Sequence, residues 1–166
     1  MSDTQTSSMV ENITKAVDQT LEVIDQERER EIITRRFGLF ERKETLEQIG
    51  ELLGITRERV RQLEKAIMIR LRTAAEEGKI PALTAIEKQI VAHLSESGRV
   101  SRVTNLADAL TGHTSTLQER ARVAFLAELA PNLSVVSEND HYYHAVGLKE
   151  HGADKKIKGN VDVIVK

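Results

Sequence analysis

A short stretch of the chain concentrates long polar side chains at a spacing that suits contact with a polyanion. Between Arg57 and Arg72 there are six basic and two acidic residues, whereas the whole chain has 24 basic and 26 acidic residues and a net charge of -2. Arginine can donate two hydrogen bonds to guanine, glutamine can pair with adenine, and glutamate can accept from the amino group of cytosine. A helix would align such residues, with one lysine, in a polar stripe made of Arg57, Glu58, Arg61, Gln62 and Lys65. The polar stripe predicts contact with DNA, and a solvated helix face with mixed ion pairs is the alternative.

Two helices joined by a glycine-containing turn are expected to position the polar stripe. The first begins at Thr45 and stops at Gly54, and the second follows Thr56, its expected N-cap, and runs to about Ala75. This is the order of a helix-turn-helix unit, whose second helix enters the major groove. A pair of ordinary amphipathic helices in a bundle remains an equally open interpretation. Apolar residues recur at steps of three and four on both helices, namely Leu46, Ile49, Leu52 and Leu53, then Val60, Leu63, Ile67 and Leu71.

The chain before residue 45 predicts two further helices. One carries an apolar stripe within Val10–Ile24 and an acidic balance of charge, and we expect it to pack onto its own helix-turn-helix rather than to dimerise. The next should be capped by Asp25, run to about Phe37 and end at Gly38 in a left-handed conformation. Residues 39–44 are then expected to form a charged loop.

The second half of the chain is predicted to form a separate unit. Glycine and proline interrupt the helical pattern at 76–81, which we interpret as a linker. Beyond it the pattern predicts helices near 83–95, 103–110 and 115–130, and strands at Leu133–Ser137 and Tyr142–Gly147. Three helices followed by a hairpin is the order of a winged helix. The expected fold class is therefore mostly α, with an N-terminal helical bundle that contains the helix-turn-helix and a C-terminal winged helix.

These patterns divide the chain into five segments. They are a disordered N-terminus at 1–8, a helix-turn-helix domain at 9–75, the linker at 76–81, a winged-helix domain at 82–148 and a basic tail at 149–166. In the basic tail, Val161, Val163 and Val165 alternate with polar residues, so that a short edge strand and disorder are both open.

Other kinds of site find little support in the sequence. The chain has no cysteine, which excludes disulfides, thiolate metal ligands and a cysteine nucleophile. Phosphate-loop and nucleophile-elbow motifs are absent, and we expect neither enzyme activity nor a cofactor. His141 and His144 would point to opposite faces of a strand, so we expect surface residues rather than metal ligands. No apolar run reaches the ~20 residues of a membrane span, and no signal peptide is visible, which is consistent with the cytoplasmic location that the family resemblance described next implies.

The sequence around the polar stripe resembles region 4 of primary-type bacterial sigma factors. The resemblance rests on EREREIITRRFGL (Glu27–Leu39) and TLEQIGELLGITRERVRQLE (Thr45–Glu64), which occur in order with near-family spacing. It implies a module that reads the upstream promoter element of double-stranded DNA and docks on the β flap of RNA polymerase. It also implies roles for single residues: Arg57, Glu58, Arg61 and Gln62 match base-contacting positions, while Arg36, Thr45 and Leu46 match positions near the DNA backbone, to which we also assign Lys65.

The C-terminal half resembles the HARE-type winged-helix domain, which occurs in the delta subunit of RNA polymerase. The resemblance rests on VTNLADALTG (Val103–Gly112), on a helix with Arg122 followed by Phe125, and on the strand pair after them. Aromatic residues are too few for the sigma-factor region that captures melted DNA, so we expect a promoter-reading regulator that acts with RNA polymerase without being a complete sigma factor. Two alternatives stay open: a module that docks on the polymerase or a sigma factor without reading bases, and the specificity arm of a restriction or nucleoid system. The oligomeric state is also open.

Overall fold

The computed structural model describes residues 2–139 and 142–149, with side chains described for 9–136 and 145–149. Within these ranges the chain is mostly α-helical with a small antiparallel sheet, which confirms the predicted fold class. The elements in chain order are α1 (Ser2–Glu22), α2 (Glu27–Phe37), α3 (Leu46–Leu53), α4 (Arg57–Glu76), α5 (Pro81–Glu96), β1 (Val100–Arg102), α6 (Val103–Thr111), α7 (Leu117–Leu129), β2 (Leu133–Asn139) and β3 (Tyr142–Leu148).

Local capping defines both helices of the helix-turn-helix unit. The Thr45 hydroxyl accepts a hydrogen bond from the Gln48 amide at 3.1 Å, and Gln48 Oε1 accepts one from the Thr45 amide at 2.9 Å. This reciprocal capping box begins α3. Gly54 ends α3 at φ 72°, in the left-handed region that favours glycine. Thr56 then caps α4 by accepting from the Arg59 amide at 3.1 Å. The predicted bounds of both helices are confirmed to within a residue.

A small apolar cluster holds α2, α3 and α4 together. Its centre is formed by one fully buried residue from each helix, namely Ile32, Ile49 and Val60. From α3, Leu46 and Leu53 also pack against this cluster. Leu52 was predicted to share this buried face, but its side chain is 53% exposed. A helix as short as α3 buries only a narrow face, and Leu52 lies outside that face.

A larger core joins residues from both sides of the predicted linker. It includes Phe37 of α2 and Leu71 of α4 together with Phe125 of α7, and the two phenylalanine rings lie 5.0 Å apart between centroids. Within the predicted linker, only residues 77–80 separate α4 from α5, and Ile80 among them is 1% exposed. The two predicted domains therefore share one core, and their independence remains a prediction.

Helix α1 packs on the C-terminal half of the chain, so the prediction that it packs onto its own helix-turn-helix was wrong. Its buried stripe of Ile13, Ala16 and Val17 lies against α5, α6 and α7. At the start of α5, the Ala82 amide donates a hydrogen bond to Gln19 Oε1 at 2.9 Å. The physical reason is that α7 packs against α2 and α4, so the apolar side of the helix-turn-helix unit is already covered.

Two helix starts differ from the prediction. Helix α1 begins at Ser2, so most of the segment 1–8 that we expected to be disordered is helical. Helix α2 is preceded by Gln26, which makes no side-chain capping bond, so the expected cap at Asp25 was wrong. Acidic residues in the first turn of α2 instead face the positive end of the helix dipole. The predicted end of α2 at Gly38, with φ 66°, is confirmed.

The C-terminal half has the order α5, β1, α6, α7, β2, β3. Its strands form an antiparallel sheet in the order β1-β3-β2, in which Val146 lies opposite both Ser101 and Val135. Strand β1 was not predicted, because it has only three residues, which follow a turn with left-handed backbone, and so short a segment shows no alternation of apolar and polar residues. The arrangement is consistent with a winged helix, and the two hairpin strands are confirmed. Residues 150–166, with the predicted edge strand or disorder of the basic tail, lie outside the described residues.

Candidate nucleic-acid interface

The polar stripe lies on the exposed side of the first half of α4. All five of its members, Arg57, Glu58, Arg61, Gln62 and Lys65, are exposed to solvent. On the opposite side of the same helix, Val60 and Ile67 are each 0% exposed. The apolar anchors fix the rotation of α4, so the structure brings the five predicted side chains together on one surface at the N-terminal end of the helix.

An ion pair within the polar stripe orients two of its members. Arg61 Nη2 lies 2.6 Å from Glu58 Oε1, and Arg61 Nε donates to Glu58 Oε2 at 3.0 Å. These hydrogen bonds hold the pKa of the Glu58 carboxyl below its ordinary value and raise the pKa of Arg61. Because both side chains are more than half exposed, the pair is screened by water and can exchange for a ligand at little cost.

Arg36 occupies a different setting from the polar stripe. Its side chain is only 10% exposed, and its Nε lies 3.3 Å from Glu64 Oε2 on α4. The ion pair fastens the end of α2 to α4. The guanidinium is therefore engaged within the protein at the position that the sigma-factor resemblance assigns to the DNA backbone.

The start of α3 presents backbone amides rather than side chains. The hydroxyl of Thr45 is used as the helix cap, and the side chain of Leu46 is half-buried in the apolar cluster. The first amides of a helix have no partner within the helix, and they carry the positive end of its dipole. A phosphate contact at these two positions would therefore use the main chain at the N-terminus of α3.

The loop before α3 is fixed at both ends, although we predicted only a charged loop. Arg35 pairs with Glu44 at 2.7 Å and with Glu31 at 3.0 Å, and the hydrogen bond to Glu44, followed by that to Glu31, raises the pKa of Arg35. Leu39 is 0% exposed and belongs to the larger core. Burial, followed by the positive charge of Arg36, lowers the pKa of Lys43.

Helix α7 binds this loop and α4 from the other side. Arg122 Nε donates to the carbonyl oxygen of Leu39 at 2.7 Å, and its guanidinium carbon lies 5.5 Å from the centre of the Phe40 ring. Arg72 of α4 forms an ion pair with Glu128, and burial raises the pKa of that carboxyl. Sequence reasoning missed this junction, because no periodicity or spacing links residues so far apart in the chain.

In the described part of the chain, no group of three or more histidine, cysteine, aspartate or glutamate residues is placed to hold a metal ion. His141 is outside the described residues, as is the side chain of His144. Among the helices of the described ranges, none is both long and apolar enough to cross a membrane.

Comparisons with known proteins single out the segment that builds this interface. Residues 26–73 match the family model described as Sigma-70, region 4. The RNA polymerase sigma factor RpoD of two Helicobacter pylori strains is 51% identical to this chain over 55 residues. That alignment covers 31% of this chain and 8% of each relative, so the chain spans a small fraction of their length. No solved structure matches the chain. The segment formed by α2, α3 and most of α4 is thus similar to Sigma-70 region 4.

Proposed function

We propose that the chain is a DNA-binding transcription regulator that reads promoter DNA through α3 and α4 and acts with RNA polymerase. The observation that carries this proposal is that the segment matching Sigma-70 region 4 contains the exposed polar stripe. The whole length of the matched relatives is about twelve times the matched segment, as the 8% coverage implies. The proposed role is that of a promoter-reading module.

In this proposal the N-terminal half of α4 enters the major groove. Arg57 and Arg61 can each donate two hydrogen bonds to a guanine, Gln62 can pair with an adenine, and Glu58 can accept from a cytosine. When Arg61 turns to a base, its bonds to Glu58 are replaced by bonds to DNA, which frees the carboxylate for its own contact. Lys65 and the first amides of α3 would hold the flanking phosphates.

The proposal also names the binding partners and the cellular location of the chain. The chain would bind the upstream promoter element of the DNA and the β flap of RNA polymerase. The C-terminal half is proposed to be a HARE-type winged helix, which is supported by the order α5, β1, α6, α7, β2, β3. The chain would carry no catalytic activity and would work in the bacterial cytoplasm, on the nucleoid.

A binding experiment with matched variants tests the reading of bases. The full chain is titrated onto a duplex that carries the upstream promoter element and onto a scrambled duplex of equal length. Arg61→Ala or Gln62→Ala should weaken binding to the promoter duplex by about 1–3 kcal/mol, and leave binding to the scrambled duplex nearly unchanged. Arg70→Ala is the control, because Arg70 lies on the same helix beyond the polar stripe and pairs with Glu29. Equal affinity of all proteins for both duplexes would rule out base reading by the polar stripe.

A protein-binding module that docks on the polymerase without reading bases is the second candidate. It is favoured by the way Glu58 already neutralises Arg61, and Glu64 neutralises Arg36, in the free protein. Capture of RNA polymerase by the chain, with no measurable duplex binding at low salt, would support this candidate and exclude the first.

A further inference from the structure

A cleft lies between the loop before α3 and the N-terminal ends of α6 and α7. Its volume is about 550 Å³, and its floor is apolar, with Val103 and Ala124 among the lining residues. One acidic and four basic side chains also line it, namely Glu41, Arg42, Lys43, Arg102 and Arg120. The cleft therefore gathers a local excess of positive charge in a chain whose net charge is -2.

Two of these arginines have no hydrogen-bond or ion-pair partner among the described residues. Arg42 and Arg102 are exposed, and among the described residues no hydrogen bond or ion pair engages either guanidinium. Arg61, Arg70 and Arg72, by contrast, each form an ion pair with a glutamate. An anion in the cleft could therefore approach two guanidinium groups that form no ion pair with any described residue.

The other two basic residues hold fixed positions in the wall. Arg120 Nε donates to Ser115 Oγ at 3.0 Å, and its Nη2 donates to the Ser115 carbonyl at 2.8 Å. Lys43 packs against Gly38, and burial, followed by the positive charge of Arg36, lowers its pKa. Both side chains are thus held in place in the wall of the cleft, and Asp108 offsets part of the charge of Arg120.

The loop that forms one wall of the cleft leads into the proposed DNA-binding surface. Lys43 adjoins Arg36, whose partner Glu64 on α4 directly precedes Lys65 of the polar stripe. On the other side, the loop that bears Arg42 leads into the N-terminus of α3, where the proposed phosphate contacts begin. The cleft therefore borders the segment that leads into α3, where the main-chain phosphate contacts are proposed.

We propose that this cleft binds the sugar–phosphate backbone of the duplex that α4 reads, so that the C-terminal half extends the DNA contact. The inference rests on the proposed function. Guanidinium groups suit phosphate because their planar forks donate paired hydrogen bonds to it. Arg42 from one half of the chain and Arg102 from the other would donate hydrogen bonds to phosphates that lie beyond the bases contacted by the polar stripe. Such contacts add affinity that does not depend on sequence.

The test compares two duplex lengths with the full chain. The short duplex holds only the site under α4, and the long duplex extends it by one helical turn at each end. The wild-type protein should bind the long duplex more tightly than the short one. The double variant Arg42→Ala/Arg102→Ala should lose about tenfold in affinity for the long duplex and lower the salt slope by about two, with short-duplex binding unchanged. Lys15→Ala/Lys88→Ala, which removes two exposed charges from α1 and α5, should change neither.

The outcomes separate the cleft from the proposed function. If the double variant, folded as shown by its thermal midpoint, binds the long duplex as tightly as wild type does, the cleft does not hold DNA. If that variant instead loses only the binding of a poly-glutamate peptide, the cleft serves an acidic protein partner and the proposal is wrong. If the wild-type chain binds neither duplex, the proposed function fails, and the inference fails with it.

Discussion

At the scale of single residues, the polar stripe is organised before any ligand arrives. Glu58 and Arg61 orient each other through two close contacts, and the Arg59 Nη1 donates to Gln62 Oε1 at 3.4 Å. The sequence predicted which side chains share this face, because the helical period alone decides that. It could not predict that Arg36 is drawn into an ion pair with Glu64, since that contact depends on how α2 and α4 are packed.

The Glu58–Arg61 pair makes a prediction about pH. Because Arg61 lowers the pKa of Glu58, the pair contributes to the folded state above the unfolded pKa of the carboxyl, and this contribution is lost as the pH falls through the lower, folded value. Carboxyl-carbon NMR should show Glu58 titrating below the ~4.3 of an unperturbed glutamate. In Arg61→Gln the titration should return towards that value. A midpoint that is the same in both proteins would contradict the ion pair.

At the scale of elements, most helix ends were predictable and most docking was not. Thr45, Gly54 and Thr56 specify their helix ends through bonds to residues close in sequence, so the signal is local. The packing position of α1 and the contacts of Arg122 depend on segments that are distant in sequence. The sequence pattern does not indicate which distant segments pack together. The packing partner of α1 was predicted wrongly because an apolar stripe indicates that a helix packs against another element but does not indicate which element.

The angle between α3 and α4 depends on a close approach at Gly50. A Cβ atom there would lie 2.6 Å from the carbonyl oxygen of Ile55 in the turn, so that the backbone would have to move. Gly50→Ala should lower the free energy of unfolding by about 1–3 kcal/mol, as other overpacked sites do. Chemical denaturation followed by circular dichroism measures this. The exposed neighbour provides the control Glu51→Ala, which should stay within about 0.5 kcal/mol of wild type. Equal stability of the two variants would show that the turn is not tightly packed.

At the scale of the whole molecule, the two halves are joined by a common core. Phe37 and Phe125 meet in it, Arg122 binds the Leu39 carbonyl, and Arg72 pairs with Glu128. The division into two domains at 76–81 remains a prediction, while the described elements before it are helices and those after it include the sheet. Composition could not reveal that the apolar surfaces of both sides face each other, because burial between distant segments leaves no local pattern. The junction leaves the polar stripe exposed and places α7 against α2 and α4, the helices of the surface that we propose binds DNA.

The shared core predicts that both halves unfold together. Phe125→Ala removes a ring that is 0% exposed and should cost about 3–5 kcal/mol. Amide hydrogen exchange should then accelerate in α2 and α4 as well as in α7. The matched control is Leu117→Ala on the same helix, where the side chain is 61% exposed and little change is expected. Protection lost only within residues 82–148, with α2 and α4 unchanged, would show that the two predicted domains are independent.

The central claim is that the exposed stripe of α4 reads bases, and selection from random duplexes tests it most directly. The full chain and its Arg61→Ala variant are each used to enrich bound sequences from one duplex library. We expect a single motif for the wild-type chain and, for the variant, the same motif with degeneracy at one position. No enrichment by the wild-type chain, or an identical motif for both proteins, would contradict it.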